Sequence, residues 1–348
     1  MHTDILIVGG GLSGLALADK LQQAGRDFLL VEARDRLGGR IDVLRDGGSA
    51  FDLGPSWFWP GQPRMDTLTR RLGLTVFSQH AAGNLSYEDE NGAVQRGVGY
   101  ASMEGSYRIE GGMMALVAAL ASQIAPARLK LDAPVVEIDQ SGTVTFANGD
   151  TITAGQIVLA IPPRVIATIK ITPDFDAAVR QSLINIPTWM GGQAKFVATY
   201  ARPFWRDEGL SGDAMSRHGP MVEIHDASAM DGSPGALFGF IGVPAAQRDG
   251  QSDALRAASI AQLGRLFGPE ALKPQKTELR DWAYAPQTAS ALDHQALGGH
   301  PRYGLPSALR NLWQGKLIMG STEIASQFGG FLEGALTAAE DVVMRLET

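Results

Sequence analysis

The chain has 348 residues, 45% hydrophobic and 19% charged, with 42 glycines, a net charge of −7 and no cysteine. That length accommodates two domains, or one large domain with an inserted lobe, and the acidic balance offers nothing to nucleic acid. Without cysteine there are no disulfides, thiolate metal sites, CxxC redox chemistry or cysteinyl cofactor bonds, and histidines lacking HxxxH or HxH spacing predict no metal site. No apolar run reaches the ~18 residues that span a bilayer, and the first strand starts at Asp4, so a cytoplasmic protein without membrane contact is expected.

In chain order, Ile5-Leu6-Ile7-Val8 predicts a buried strand that runs directly into Gly9-x-Gly11-x-x-Gly14. A helix follows, with apolar positions Leu12, Leu15, Ala18 and Leu21 and a stop at Gly25. Phe28-Leu29-Leu30-Val31 predicts the second strand, with Glu32 at its end. The glycines suit a tight turn, close approach of backbone to a pyrophosphate and close packing of helix on strand, and the acid suits ribose hydroxyls. A dinucleotide site is the expectation. Asp46-Gly47-Gly48 then predicts a hairpin turn, and Trp57, Phe58 and Trp59 between Pro55 and Pro60 predict a rigid apolar loop. Residues 65–72 read as a helix closed by Gly73, and residues 76–107 show weaker alternation around Asn91-Gly92.

A helix follows Gly111-Gly112, with its apolar face on Met113, Leu116, Val117 and Leu120. Runs at 135–138, 143–146 and 151–153, with a turn at Asn148-Gly149, predict an antiparallel meander. Residues 157–161 are apolar throughout, as in a strand buried on both faces, and Pro162-Pro163 ends them. Residues 166–305 mix strands at 195–200 and 236–241 with a helix near 253–267, and read as a second lobe. The chain closes on a strand at 317–319, a turn at Gly320 and an amphipathic helix at 332–346.

The stretch from Asp4 to Arg40, ending Glu32-Ala33-Arg34-Asp35-Arg36-Leu37-Gly38-Gly39-Arg40, resembles the N-terminal signature of flavin-dependent amine oxidases of the monoamine oxidase type. Further blocks match that family in order. They are Phe51-Asp52-Leu53-Gly54, Tyr107-Arg108-Ile109-Glu110-Gly111-Gly112-Met113, Ala160-Ile161-Pro162-Pro163, Lys195 ahead of Pro203-Phe204-Trp205-Arg206, Asp281-Trp282, Gly320-Ser321-Thr322-Glu323, and Gly330-Phe331-Leu332-Glu333-Gly334-Ala335. The resemblance implies an α/β fold with a discontinuous, Rossmann-like FAD-binding domain of the glutathione-reductase-like kind, over 1–75, 108–165 and 306–348. A mixed-sheet α+β substrate domain would take 76–107 and 166–305.

It also implies non-covalent FAD, a small-molecule amine substrate, O2 as oxidant and hydride transfer from the amine α-carbon to flavin N5. Gly9, Gly11 and Gly14 would hold the pyrophosphate and Glu32 the adenosine ribose. Arg34, Gly39 and Arg40 would lie beside the same groups, Val135 would meet adenine through its main chain, and Gly54 and Pro55 belong to the same site. Glu323 would contact the ribityl chain, Gly320 belongs to the same cofactor site, and Leu332 would open a helix aimed at the flavin pyrimidine ring. Lys195 would reach N5 through a water, Trp282 would pack near the ring, and Phe331 would be one of two rings flanking the amine.

Some alternatives stay open. Lys195 also reads as a strand lysine reaching solvent, and Trp282 as a plain core residue. The second flanking ring is missing, because Ala291 and Leu292 stand where it is expected, leaving Trp57, Trp59, Tyr284 and Phe328 as candidates. The 76–107 segment is shorter than in long family members. A carbon–carbon desaturase resembling protoporphyrinogen oxidase or phytoene desaturase, and a flavin-binding protein without turnover, are the competing functions.

Overall fold

The computed structural model describes residues 1–295 and 297–346 as two sheets with helices packed on them. In the first sheet, strand β1 (His2–Val8) pairs in parallel with strand β2 (Phe28–Val31) on one side and with Thr151–Leu159 on the other. Parallel neighbours need a crossover, and helix α1 (Leu12–Gln23) supplies it between β1 and β2. The two faces of these strands are both apolar. Ile5, Ile7 and Leu30 pack against α1 and the last helix, Leu332–Leu346, while Leu6, Val8, Leu29 and Val31 enter a second core with Ile138, Leu183 and Leu317. Truncating a side chain as enclosed as Leu15, which joins α1 to the last helix and has no exposed surface, would cost ~2–5 kcal/mol.

Residues 151–153 and 157–161, expected as separate strands, form one strand, Thr151–Leu159, that changes partners along its length. It begins antiparallel to Thr143–Phe146 and ends parallel to β1 and Leu317–Met319. Gly155 permits this continuity, since a Cβ there would lie 2.8 Å from the carbonyl oxygen of Asp4. Lys170–Thr172 lies past the expected boundary at 165, yet it pairs with Val135–Asp139 and so extends the first sheet.

The second sheet runs in the order Lys276–Asp281, Ala194–Tyr200, Gly235–Ile241, Met221–Asp226, Leu210–Ser216, Asn84–Glu88 and Val94–Arg96. The strand Ala194–Tyr200 is buried along its whole length. Alternation sends Ala194, Phe196, Ala198 and Tyr200 to a core with Trp205 and Leu263. It turns Lys195 and Val197 to the opposite face, where Val197 meets Phe51, Leu53 and Trp57 from the first lobe. No helix among the described residues is long and apolar enough to cross a membrane.

Candidate active site

A cavity of about 600 Å³ is walled on one side by the ends of β1 and β2 and on the other by the second sheet. On the first wall, Gly9 has φ +112°, and a Cβ there would lie 2.7 Å from the Ala160 carbonyl oxygen. Gly14 is not on the wall. Its Cβ would come within 2.0 Å of the Gly9 carbonyl oxygen, so its bareness lets α1 lie against the strand end. Gly11 caps α1 without any side-chain hydrogen bond, and Gly11, Leu12 and Ser13 line the cavity. The first N–H groups of a helix have no partner within it, so this end offers donors and the positive end of a dipole to an anion.

Glu32 is 4% exposed, accepting from the Gly10 N–H at 2.7 Å and the Arg34 N–H at 3.0 Å. Arg34 lies 3.7 Å from that carboxylate and donates to the Thr288 hydroxyl at 2.7 Å. Arg40 is also on the wall, with its guanidinium 2.7 Å from Glu323. Glu323 is fully buried against Arg40, and apart from that ion pair neither of its carboxylate oxygens has a hydrogen-bond partner among the described residues. Gly320 stands behind the wall, its carbonyl accepting from the Ser13 hydroxyl. Gly39, Gly54, Pro55, Val135, Trp282, Phe331 and Leu332 all line the cavity. Gly54 has no room for a side chain, since a Cβ would sit 1.9 Å from the Arg40 carbonyl oxygen. Helix N-terminal N–H groups and two guanidinium groups as donors, with the Glu32 carboxylate as acceptor, make the polar set that suits a dinucleotide, and the bare glycines leave its backbone approach open.

On the second wall, Lys195 is 2% exposed. Its Nζ donates to the Ser56 hydroxyl at 2.6 Å and the Gly54 carbonyl at 3.1 Å, and lies 3.7 Å from the Phe238 ring centre. It does not reach solvent. Burial pushes the amine down to about 7, opposed by the nearby Asp52 carboxylate, while burial pushes Asp52 up to about 6. Asp52 accepts from the Met113 N–H at 2.8 Å, and Arg108 donates at 2.8 Å to the carbonyls of Ala227 and Ser228. Asp52, Ser56 and Arg108 were not singled out from sequence, although Asp52 and Arg108 lie inside two of the matching blocks.

Phe331 packs edge-on to Trp59 at 6.1 Å, near Trp189 at 6.5 Å, and stacked on His300 at 4.9 Å. Of the four candidates for the second ring, Trp57 and Trp59 line the cavity. Tyr284 and Phe328 do not. They are 39% and 40% exposed, and the Tyr284 hydroxyl donates to the Ala245 carbonyl. Trp189, missed in the sequence, is a wall residue; its hint was Gly330, where a Cβ would lie 2.8 Å from that of Trp189. Trp282 donates to the Leu53 carbonyl at 3.0 Å and carries the Arg280 guanidinium 4.5 Å from its ring centre, so it is both a lobe-to-lobe tie and a wall residue.

Fold and cavity define a two-lobed, dinucleotide-binding α/β protein. The family profile described as "Flavin containing amine oxidoreductase" matches residues 12–97 and 75–346. The chain belongs to that family, and its resident cofactor is a flavin. It is 25% identical to the "Probable flavin-containing monoamine oxidase A" of Dictyostelium discoideum, covering 96% of this chain and 95% of that one. It is also 25% identical to "Amine oxidase [flavin-containing] B" of Mus musculus, covering 97% and 85%. Among solved structures, a double mutant of putrescine oxidase superposes with a TM-score of 0.83 at 20% identity, covering 100% of both chains. Cyclohexylamine oxidase from Brevibacterium oxydans IH-35A superposes with a TM-score of 0.82 at 21% identity, covering 99% of this chain and 100% of that one. Both show a shared fold.

Proposed function

We propose that the protein is an oxidase of amines that holds FAD without a covalent bond. A bound flavin would supply the two-electron redox chemistry, with hydride going from the amine α-carbon to N5, the amine leaving as an imine after loss of its N–H proton, and O2 taking up the two electrons and two protons as H2O2. The observation that carries this reading is Lys195, a buried amine facing the cavity beside aromatic walls. In this proposal Gly9, Gly11 and Gly14 shape the pyrophosphate seat, Glu32 holds ribose, and Arg34 and Arg40 neutralise phosphate. Val135 meets adenine through its main chain, and the helix starting at Leu332 directs its positive end at the pyrimidine ring.

The cavity residues Trp59, Trp189 and Phe331 exclude water and favour the uncharged form of the amine, the form with a lone pair to assist loss of hydride. In this proposal the Lys195 amine would lie beside the reduced flavin, where negative charge would develop on oxygen. Its ammonium form stabilises that charge, and a pKa near 7 lets it gain or lose a proton near neutrality. The test uses purified yellow protein and a panel of amines. Anaerobic bleaching by at least one amine, recovery of colour with oxygen, and stoichiometric peroxide are expected, with intact FAD released by acid. Bleaching by a carbon–carbon substrate alone, or by nothing, would overturn the proposal.

A further inference from the structure

We infer that Glu223 forms a subsite for a second cationic group, so that the preferred substrate is an aliphatic amine carrying another positive charge several carbons away. This rests on the amine-oxidase reading above. Lys195 is paired with Phe240 across one strand boundary, and Phe240 with Glu223 across the next. Residues directly opposite in a sheet share a face, so the three form one row across three strands, and all three line the cavity. Two strand spacings put the backbone of Glu223 ~10 Å from that of Lys195.

Glu223 is built into this position. The Ser102 hydroxyl donates to its Oε1 at 2.6 Å, and His225 Nε2 reaches the same oxygen at 3.0 Å. Oε2 has no hydrogen bond among the described residues. The other imidazole nitrogen, Nδ1, is 2.8 Å from Asp213, and the ring is wedged by Trp57 edge-on at 5.0 Å and Phe238 at 5.4 Å. Burial opposes charge on His225, but its hydrogen bonds to two carboxylates outweigh that and raise its pKa. Protonated, it leaves the trio with Asp213 and Glu223 one net negative charge.

The carboxylate is therefore held from one side, with one oxygen left for a ligand, in a wall otherwise made by Trp57, Met103 and Phe240. The other cavity acid, Glu32, is already engaged with the Gly10 and Arg34 N–H groups. The Glu223 side chain is 29% exposed, so Oε2 is open to the cavity, and the hydrogen bonds from His225 and Ser102 outweigh burial and keep the carboxylate charged. A substrate ammonium would pair with Oε2, and its carbon chain would lie along Phe240 toward Lys195.

The experiment compares n-hexylamine, hexane-1,6-diamine and 6-aminohexanoate, and the four-carbon equivalents, on the holoenzyme. The diamine should exceed the monoamine in kcat/KM by roughly 10- to 100-fold, with the amino acid poorest. Glu223→Gln keeps the volume and an acceptor for Ser102 while removing the charge, and should bring the diamine-to-monoamine ratio toward one, mainly through KM. A ratio near one in the parent enzyme, or a ratio unchanged in Glu223→Gln, overturns the subsite. Calorimetric binding of hexane-1,6-diamine separates this from failure of the amine-oxidase reading. Diamine binding that is lost in Glu223→Gln, without flavin reduction by any amine, would keep the subsite and sink the oxidase. Flavin reduction by monoamines with no diamine preference would do the reverse, and neither binding nor reduction would overturn both.

Discussion

The two walls of the cavity treat polarity in opposite ways. The wall at β1 and β2 offers backbone N–H groups and charges that already have partners, such as Glu32 with Arg34 and Arg40 with Glu323. The wall on the second sheet sets Lys195, with Asp52 near it, and Glu223, held by His225, among rings and aliphatic groups. Backbone donors and paired charges bind an anion with little dependence on pH. Charges set in an apolar wall are costly, but their protonation is adjustable. One wall suits retention, the other reaction and choice.

Gly14→Val should break the first wall most severely. The added side chain begins 2.0 Å from the Gly9 carbonyl oxygen, so α1 must move, at a cost of ~3 kcal/mol or more. A much lower thermal midpoint and flavin content are expected; near-normal values would show that α1 can shift away from the strand end without loss.

On the second wall, Lys195→Met keeps the volume and removes the charge. Reoxidation by O2 should slow ~10²-fold while anaerobic reduction by amine stays near its parent rate. The pH profile sharpens this. The ammonium form prevails below about 7, so reoxidation should fall as pH rises through about 7, and that limb should vanish in Lys195→Met. Stopped-flow mixing of reduced enzyme with oxygen reads this step without substrate titration. A parallel limb in both enzymes would move the titrating group elsewhere.

Glu32→Ala tests retention more gently. Losing charge-assisted hydrogen bonds worth ~1.5–3 kcal/mol each should weaken FAD binding about tenfold or more, with the rate of reduction at full loading little altered. Equal FAD dissociation constants for variant and parent would place the ribose against another group. Asp52→Asn should have the smallest effect. Removing the carboxylate that holds the Lys195 pKa up should shift the reoxidation limb to lower pH, whereas an unmoved limb is expected if Asp52 only caps Met113.

The contrast between the walls also explains what the sequence made legible. The first wall comes from one short stretch whose strand, glycine turn, helix, strand and acid follow one another, so local periodicity displayed it before any coordinates. Lys195 was visible because a charged residue inside an apolar strand is conspicuous. Glu223, Trp189, His300 and Thr288 were not. Each gains its role from pairing or packing between segments far apart in the chain, as when the register of Phe240 sets Glu223 in line with Lys195. Glu323 and Gly320 could be read as near the cofactor, but the burial of the first against Arg40 and the bond of the second with Ser13 could not, because depth below a surface leaves no periodic trace.

The cavity lining extends from Val8 to Ala335, so it draws on both the first strand and the last helix. During synthesis the glycine loop emerges early, yet β1 then lacks its neighbour Thr151–Leu159 and has no opposite wall. A nascent chain consequently carries the phosphate seat long before anything can close over a flavin there. The cavity is complete only when the helix from Leu332 has docked on α1, at the very end of the chain.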